Sequence, residues 1–189
     1  MFFTFPDQFV FWTEAESDAH GRLRDSILPL INEREQEFRS NKTIAQWDSK
    51  LSCSMGHQVD FLLTEEILNH VVWGPLDKML SENTNQIHSL PLNSSLQSIW
   101  FNITNPGEYQ EVHSHLPASF SGIYLLDCDE PNPTSFYRPS GRRESYTTFT
   151  TGFMKEGTTI LFPSDLSHYV KPTKKRRVTL AFNVFCQYP

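Results

Sequence analysis

The 189-residue chain has only three cysteines, Cys53, Cys128 and Cys186, scattered and without a C-x-x-C pair. An odd, dispersed set is no disulfide framework, and it suits a reducing cytosol, so a cytoplasmic location is expected. No apolar run approaches the roughly 18 to 20 residues of a membrane-spanning helix, and no membrane partner is expected. The opening MFFTFPDQFVFW is apolar but has no basic start, and acidic residues follow it at once, so it does not read as a signal peptide. Basic charge is in the minority: 16 Lys and Arg stand against 22 Asp and Glu, a net charge of -6. That balance argues against nucleic acid or acidic membranes as general partners. There is no internal repeat and no low-complexity tract. What the chain does have is apolar matter, 38% in all with 15 Phe, enough to build one well-filled domain and to exclude disorder.

Residues 1–90 are expected to form a helical layer. Leu23, Ile27, Leu30 and Ile31 recur at spacings of 3 to 4, the stripe of a helix with one buried face. Pro29 either kinks that helix or starts a second turn. The stretch NKTIAQWDSKLSCSMGHQ has no period and reads as loop. Thr64 then offers an N-cap to EEILNHVVWGPLDKML, with Glu65 and Glu66 suited to the first turn and Gly74-Pro75 expected to break or bend it. From about residue 91 the texture changes. LQSIWFNIT, SGIYLLDC, TSFYRP, SYTTFTT, GTTILFP, HYVKP and RVTLAFNVF are short β-branched and aromatic runs between Gly, Pro and Asn signals. Seven such runs predict a sandwich or small barrel over residues 91–189, mainly β, rather than a βαβ sheet. The two parts make one compact domain.

The stretch PGEYQEVHSHLPASFSG places His113 and His115 one residue apart, in a chain with seven histidines. On a strand, residues i and i+2 share a face, so both rings would project side by side and could grip one metal ion. The bland alternative is a pair of solvent-facing polar residues. His168, ahead of the run HYVKP, can complete such a site, because barrels bring distant strands together. Three imidazoles leave the remaining positions of an ion open. Arg177 stands nine residues later with Thr179 two further on, on one strand face. A guanidinium pointing into a barrel beside a metal calls for an anion there, and its planar fork suits a carboxylate. The basic run KPTKKRR reads either as a nucleic-acid patch or, more economically, as the hairpin turn between the strands of His168 and Arg177. His20, His57, His70 and His88 have no partner spacing and are taken as surface or core residues. The four Trp are taken as core.

Three blocks, WFNITNPGEYQEVHSHLPASFSGIYLL, EGTTILFPSDLSHYV and RRVTLAFN, together resemble the Fe(II)/2-oxoglutarate oxygenases, closest to a short bacterial and phage branch related to prolyl hydroxylases. The resemblance covers residues 98–185. It implies a double-stranded β-helix, the jelly-roll or cupin-like barrel, with Fe(II) on His113 and His168. Arg177, with Thr179, would hold the distal carboxylate of 2-oxoglutarate. Tyr124 would supply a further polar contact to 2-oxoglutarate. Asn102 and Asn183 would be either pocket contacts or structural crosslinks, and Ser121 and Arg138 are weaker candidates for substrate contact. The family pattern is H-x-D/E, whereas the carboxylate position here is His115. Either the metal triad is His113, His115 and His168, or His115 stands behind the ligands and water, Glu111 or Asp165 fills the third place.

Cupins compete for the same residues. Gly107-x5-His113-x-His115 and Gly157-x5-Pro163-x4-His168 match much of their two motifs. The Glu expected after the first pair is missing, Asp165 replaces a Gly and Pro172 an Asn. Arg177-x-Thr179 and the closing AFN favour the oxygenase. The expected function is therefore a non-haem Fe(II)- and 2-oxoglutarate-dependent dioxygenase, a hydroxylase acting with O2 on a small-molecule or peptidyl substrate. The alternatives are a cupin-type metal-binding protein or enzyme that does not use 2-oxoglutarate, and a structural barrel with incidental histidines. A homodimer is compatible with the sequence.

Overall fold

Each of the seven β-branched and aromatic runs becomes a strand, and four more join them. In the computed structural model, which describes residues 1–4, 8–39, 51–82, 93–129, 131–139 and 146–187, the strands are β1 (Phe2–Thr4), β2 (Phe9–Glu14), β3 (Ser52–Cys53), β4 (Asn93–Thr104), β5 (Gln110–His113), β6 (Phe120–Cys128), β7 (Thr134–Pro139), β8 (Tyr146–Thr150), β9 (Thr158–Pro163), β10 (His168–Val170) and β11 (Arg177–Gln187). They form two antiparallel sheets, one in the order β1-β2-β9-β6-β11-β4-β3 and one in the order β5-β10-β7-β8. From β4 onward the chain passes back and forth between them, which is the winding of a double-stranded β-helix.

The first 90 residues are not purely a helical layer. β2 pairs with β9 from Phe11 opposite Leu161 to Glu14 opposite Thr158, and β1 pairs with β2, so these two strands extend the large sheet. Phe9, Val10 and Phe11 are all buried, one neighbour after another. Such a run is at home in a strand covered on both faces. β3 covers the other edge, opposite Asn102 and Ile103 of β4. The basic run is likewise not a hairpin turn, because β10 and β11 belong to different sheets and the segment crosses between them. Most of NKTIAQWDSKLSCSMGHQ lies outside the described residues.

The helices cover the outer face of the large sheet. α1 (Ser17–Glu33) runs through Pro29 without ending and buries Leu23, Ile27 and Ile31, one per turn on a single line. Leu30 is 39% exposed, off that line and outside the predicted stripe. After the short α2 (Glu35–Phe38), Thr64 caps α3 (Glu65–Ile67), its hydroxyl accepting from the Ile67 N–H at 3.4 Å. Gly74-Pro75 does not break the helical path. A π-helical turn over Leu68–Trp73 leads into α4 (Gly74–Glu82), with the Gly74 N–H bonded to Asn69 O five residues back. A Cβ at Gly74 would lie 2.9 Å from that oxygen, so only glycine fits the wider turn. Pro75 needs no donor at the start of a helix.

Two apolar layers result. Between the helices and the large sheet lie Ile27, Ile31, Val71, Leu76, Met79, Phe101, Leu180 and Phe182. Between the two sheets lie Val10, Ile123, Leu125, Phe136, Ile160 and Phe162. Each such side chain contributes about 1.5–3 kcal/mol when fully buried. The second layer fills only part of the barrel, and the space it leaves is the site.

Candidate metal centre

The histidines come from three places. His113 ends β5 and lies directly opposite His168, the first residue of β10. His115 does not share the strand with His113, as the i, i+2 reading requires. β5 stops at His113, and His115 sits in the next turn, with its N–H bonded to Ser164 O at 2.7 Å. The rings nonetheless converge. Their centroids are 4.2 Å (His113 to His168), 5.0 Å (His113 to His115) and 5.1 Å (His115 to His168) apart. One ring nitrogen of each lies within 4.8 Å of the others.

The hydrogen bonds fix which nitrogen faces an ion. His113 Nδ1 is 2.6 Å from Glu111 O and His168 Nδ1 is 3.2 Å from Leu166 O. A carbonyl only accepts, so Nδ1 carries the proton and Nε2 keeps its lone pair in both rings. Burial pushes all three imidazoles down: His168, 2% exposed, falls well below its ordinary value, and His115 is lowered to about 3. His113 is lowered by the same loss of solvation. Neutral rings at physiological pH are the form that ligates a metal. Glu111 and Asp165 are exposed, and among the described residues no carboxylate joins the cluster.

A small cavity of about 20 Å³ opens beside the histidines. Arg177, Thr179 and Ala181 line it from alternate positions of β11, and Asn102 from β4. Arg177 is 1% exposed, and its Nη2 donates to Thr134 Oγ1 at 3.1 Å. Thr134 Oγ1 donates in turn to Asn132 Oδ1 at 3.1 Å, and Asn132 Nδ2 reaches Thr151 Oγ1 at 2.7 Å, all of them buried. Thr134, Asn132 and Thr151 thus support the guanidinium from behind. Arg176 turns the other way, to Asn32 and Glu35 of the helical side. Asn102 Oδ1 is buried with no hydrogen-bond partner among the described residues. The donor set tests well against Fe(II) and 2-oxoglutarate. Three neutral imidazoles suit a divalent transition metal, and a cavity with a buried guanidinium and no carboxylate among its metal ligands suits a dianion beside it.

Several predicted contacts fall elsewhere. Tyr124 lies on the opposite face of β6: paired with Leu180, it points at the helices, where its hydroxyl meets His20 Nδ1 at 2.8 Å and His70 Nε2 at 3.2 Å. It cannot reach the cavity, and its neighbour Ile123 lines it instead. Ser121 is 1% exposed and donates to Asn183 Oδ1 at 2.8 Å, so these two crosslink β6 to β11 rather than contact substrate or 2-oxoglutarate. The Arg138 side chain and His88 lie outside the described residues. His57 packs on Phe38. Sequence reading missed Thr134, Gln110 and Met55, and took Trp100 as core only. Trp100 is 3% exposed, lines the cavity and sits 5.6 Å from the His115 ring. Gln110 alone carried a usable signal, three residues before His113.

Residues 98–183 match a family model described as 2OG-Fe(II) oxygenase. No curated protein matches the chain. Among solved structures, the chain is similar to a prolyl-4-hydroxylase from Pseudomonas putida, with 14% identity over 93% of this chain and 91% of that one, at a TM-score of 0.60. It is similar to a prolyl hydroxylase from Trichoplax adhaerens, solved with a peptide fragment of the hypoxia inducible factor oxygen degradation domain, with 13% identity over 95% and 83% at a TM-score of 0.62. The viral collagen prolyl hydroxylase of Paramecium Bursaria Chlorella virus-1, solved with 2OG, gives 12% identity over 93% and 94% at a TM-score of 0.51. The family model spans all three histidines, Arg177 and Thr179, so this part of the chain is similar to the 2OG-Fe(II) oxygenases, and the solved structures share its double-stranded β-helix fold.

Proposed function

We propose that His113, His115 and His168 hold the Fe(II), that Arg177 and Thr179 hold the distal carboxylate of 2-oxoglutarate, and that the enzyme hydroxylates a small-molecule or peptidyl substrate. One observation carries this assignment. Arg177 and Thr179 project from one face of β11 into the same cavity that the three imidazoles line. When bound, Fe(II) and 2-oxoglutarate supply the oxidising chemistry with O2, leaving succinate and CO2. The protein's part is positional. The Nδ1–H bonds to Glu111 O and Leu166 O hold two imidazoles with Nε2 inward. The Arg177 fork, fixed on Thr134, binds and orients a carboxylate by charge-assisted bonds. Asn102 Oδ1 offers an acceptor to an O–H or N–H donor of the substrate or of a water, since 2-oxoglutarate itself has none. Trp100, Ile123 and Ala181 form an apolar wall that excludes water from the reacting face.

A cytoplasmic location fits this reading. Cys53, Cys128 and Cys186 form no disulfide, and a compartment that keeps thiols reduced also keeps iron as Fe(II). No helix of the described residues is long and apolar enough to cross a membrane.

The test is direct. Anaerobic protein given Fe(II) and 2-oxoglutarate should develop a visible charge-transfer absorption that bleaches when air is admitted. A substrate screen followed by succinate release then finds the hydroxylation target. An Fe(II) protein that binds no 2-oxoglutarate would refute the assignment of Arg177 and Thr179.

A further inference from the structure

His115 is the residue by which this chain departs from the H-x-D/E pattern, and it is also the one histidine of the cluster that no strand holds. The turn that carries it is nevertheless fixed at several points. His115 N–H donates to Ser164 O at 2.7 Å, Ala118 N–H to His115 O at 3.1 Å, and Ser119 N–H to Val184 O at 2.9 Å. Ser164 also donates its own N–H to Ser119 O at 3.1 Å, so one residue clamps the turn at both ends.

Ser164 is itself anchored. Its Oγ is 2.8 Å from Ser121 Oγ, and Ser121 Oγ is 2.8 Å from Asn183 Oδ1. The last acceptor sets the direction of these bonds. An amide oxygen only accepts, so the Ser121 hydroxyl donates to Asn183, and the Ser164 hydroxyl must donate to Ser121. Ser121 and Ser164 are 1% exposed and Asn183 is 5% exposed, so no bulk water competes. Buried hydroxyls in this position are costly unless every one is paired, and here they are. Asn183 stands on the inward face of β11, the face that also bears Arg177 and Thr179.

We propose that Ser164, Ser121 and Asn183 are positioning residues for the metal site: they fix the His115 imidazole where a strand would otherwise have to. The inference rests on the reading of His115 as a metal ligand. It joins the ligand turn to the strand that carries Arg177, so that a single element, β11, sets both ends of the cavity. Residues behind a metal ligand commonly alter metal affinity by about 10- to 100-fold when removed, although none of these three touches the ion.

The experiment uses the full chain loaded with Co(II), whose visible ligand-field bands report coordination geometry independently of turnover. Ser164→Ala removes one terminal hydroxyl and is the mildest change, and Ser121→Ala removes the middle of the relay. Each should weaken Co(II) binding by about 10-fold and shift the band intensities, with far-UV circular dichroism showing a folded barrel. His115→Ala serves as the reference. If it weakens Co(II) binding while both serine variants keep wild-type affinity and wild-type bands, the positioning role is overturned and the three-histidine site stands. If His115→Ala changes nothing, the three-histidine reading falls, and this inference falls with it. A lowered melting temperature in the serine variants with an unaltered Co(II) spectrum also overturns it, since that is what a purely structural crosslink would give.

Discussion

The two faces of β11 differ by a single step along the chain, yet they perform separate tasks. Val178, Leu180, Phe182 and Val184 turn outward to the helices and are fully buried in apolar contacts. Arg177, Thr179, Ala181 and Asn183 turn inward, and three of these four are polar or charged and still buried. The outward face is fitted closely: a Cβ on Gly122, the cross-strand partner of Phe182, would come within 2.0 Å of the Phe182 ring, so glycine is what lets the ring lie across β6. The inward face leaves a cavity. A strand that buries both faces therefore need not use both for stability, because the polar face is held together by directed hydrogen bonds and the apolar face by packing. Substitutions on the two faces should accordingly affect different measurements.

The largest effect belongs to the polar side of the barrel. His168→Ala removes the most buried imidazole of the cluster, and no other described His, Cys, Asp or Glu lies near enough to replace it. Titration with Fe(II) under nitrogen should show binding abolished, while the circular dichroism melt stays near that of the native chain. Next comes the apolar side. Phe182→Ala should cost about 3–5 kcal/mol of unfolding free energy in a urea titration, while the folded fraction binds Fe(II) normally. Loss of metal affinity in folded Phe182→Ala would mean the two faces are coupled after all.

The sequence displayed these two faces unequally. In β11 the alternation of Arg177, Thr179 and Asn183 with Val178, Leu180 and Phe182 is plain, and it puts Arg177 on the face that lines the cavity. β6 offers no such guide. Its buried run from Ser121 to Leu126 has no alternation of polar and apolar residues, because both faces are covered. Which residues of β6 look inward depends on register with β11, so the sequence suggests Tyr124 beside 2-oxoglutarate when it faces His20 and His70. β1, β2 and β3 were illegible for a related reason. They are short, and their partners β9 and β4 lie far away in sequence. The histidine cluster was legible because H-x-H and a distant histidine constrain a barrel strongly, although the real path of His115 depends on a turn held by Ser164. Thr134 was invisible, since a threonine in a strand carries no mark of the arginine it supports.

Arg177→Met tests the inward face where its charge sits. Losing a charged hydrogen-bond donor of about 1.5–3 kcal/mol should weaken 2-oxoglutarate binding by about 10-fold or more, read from the anaerobic charge-transfer absorption as 2-oxoglutarate is titrated. Metal affinity should hold, as Arg177 is not among the clustered ligands. Thermal stability should change far less than in Phe182→Ala.

Acidity separates the faces in a gentler way. The imidazoles of His113, His115 and His168 are all lowered by burial, so the unfolded chain takes up protons that the folded chain refuses. Their contribution to stability is fully present above the ordinary imidazole value of about 6.5 and is lost as pH falls from there toward the lowered folded values. Urea titrations of metal-free protein between pH 7 and pH 5 should show stability declining in that direction. The same series on Phe182→Ala should decline in parallel from a lower start, because Cys186, the titratable group on the outward face of β11, is pushed up by burial and does not ionise between pH 5 and pH 7. A flat profile in the native chain would show that the histidines are less shielded than their burial requires.

The smallest effect should come from Arg176, one residue from Arg177. Strand alternation sends its side chain outward, where it reaches Asn32 and Glu35 and lies 3.9 Å from Asp127. It is about one-third exposed, and ion pairs in such settings contribute roughly 0–1 kcal/mol, part of which salt screens away. Glu35 keeps a second cationic neighbour in Arg39, at 3.6 Å, and an amide donor in Asn105, so its carboxylate is not stranded when Arg176 is removed. Arg176→Met should therefore leave 2-oxoglutarate affinity unchanged and lower the melting temperature only slightly, by an amount that shrinks in high salt. Its value lies in the pairing: the same chemical change at adjacent positions should weaken 2-oxoglutarate binding by about 10-fold or more in one case and leave it unchanged in the other. Equal losses at both positions would mean that net charge near the cavity, rather than one directed guanidinium, attracts the co-substrate.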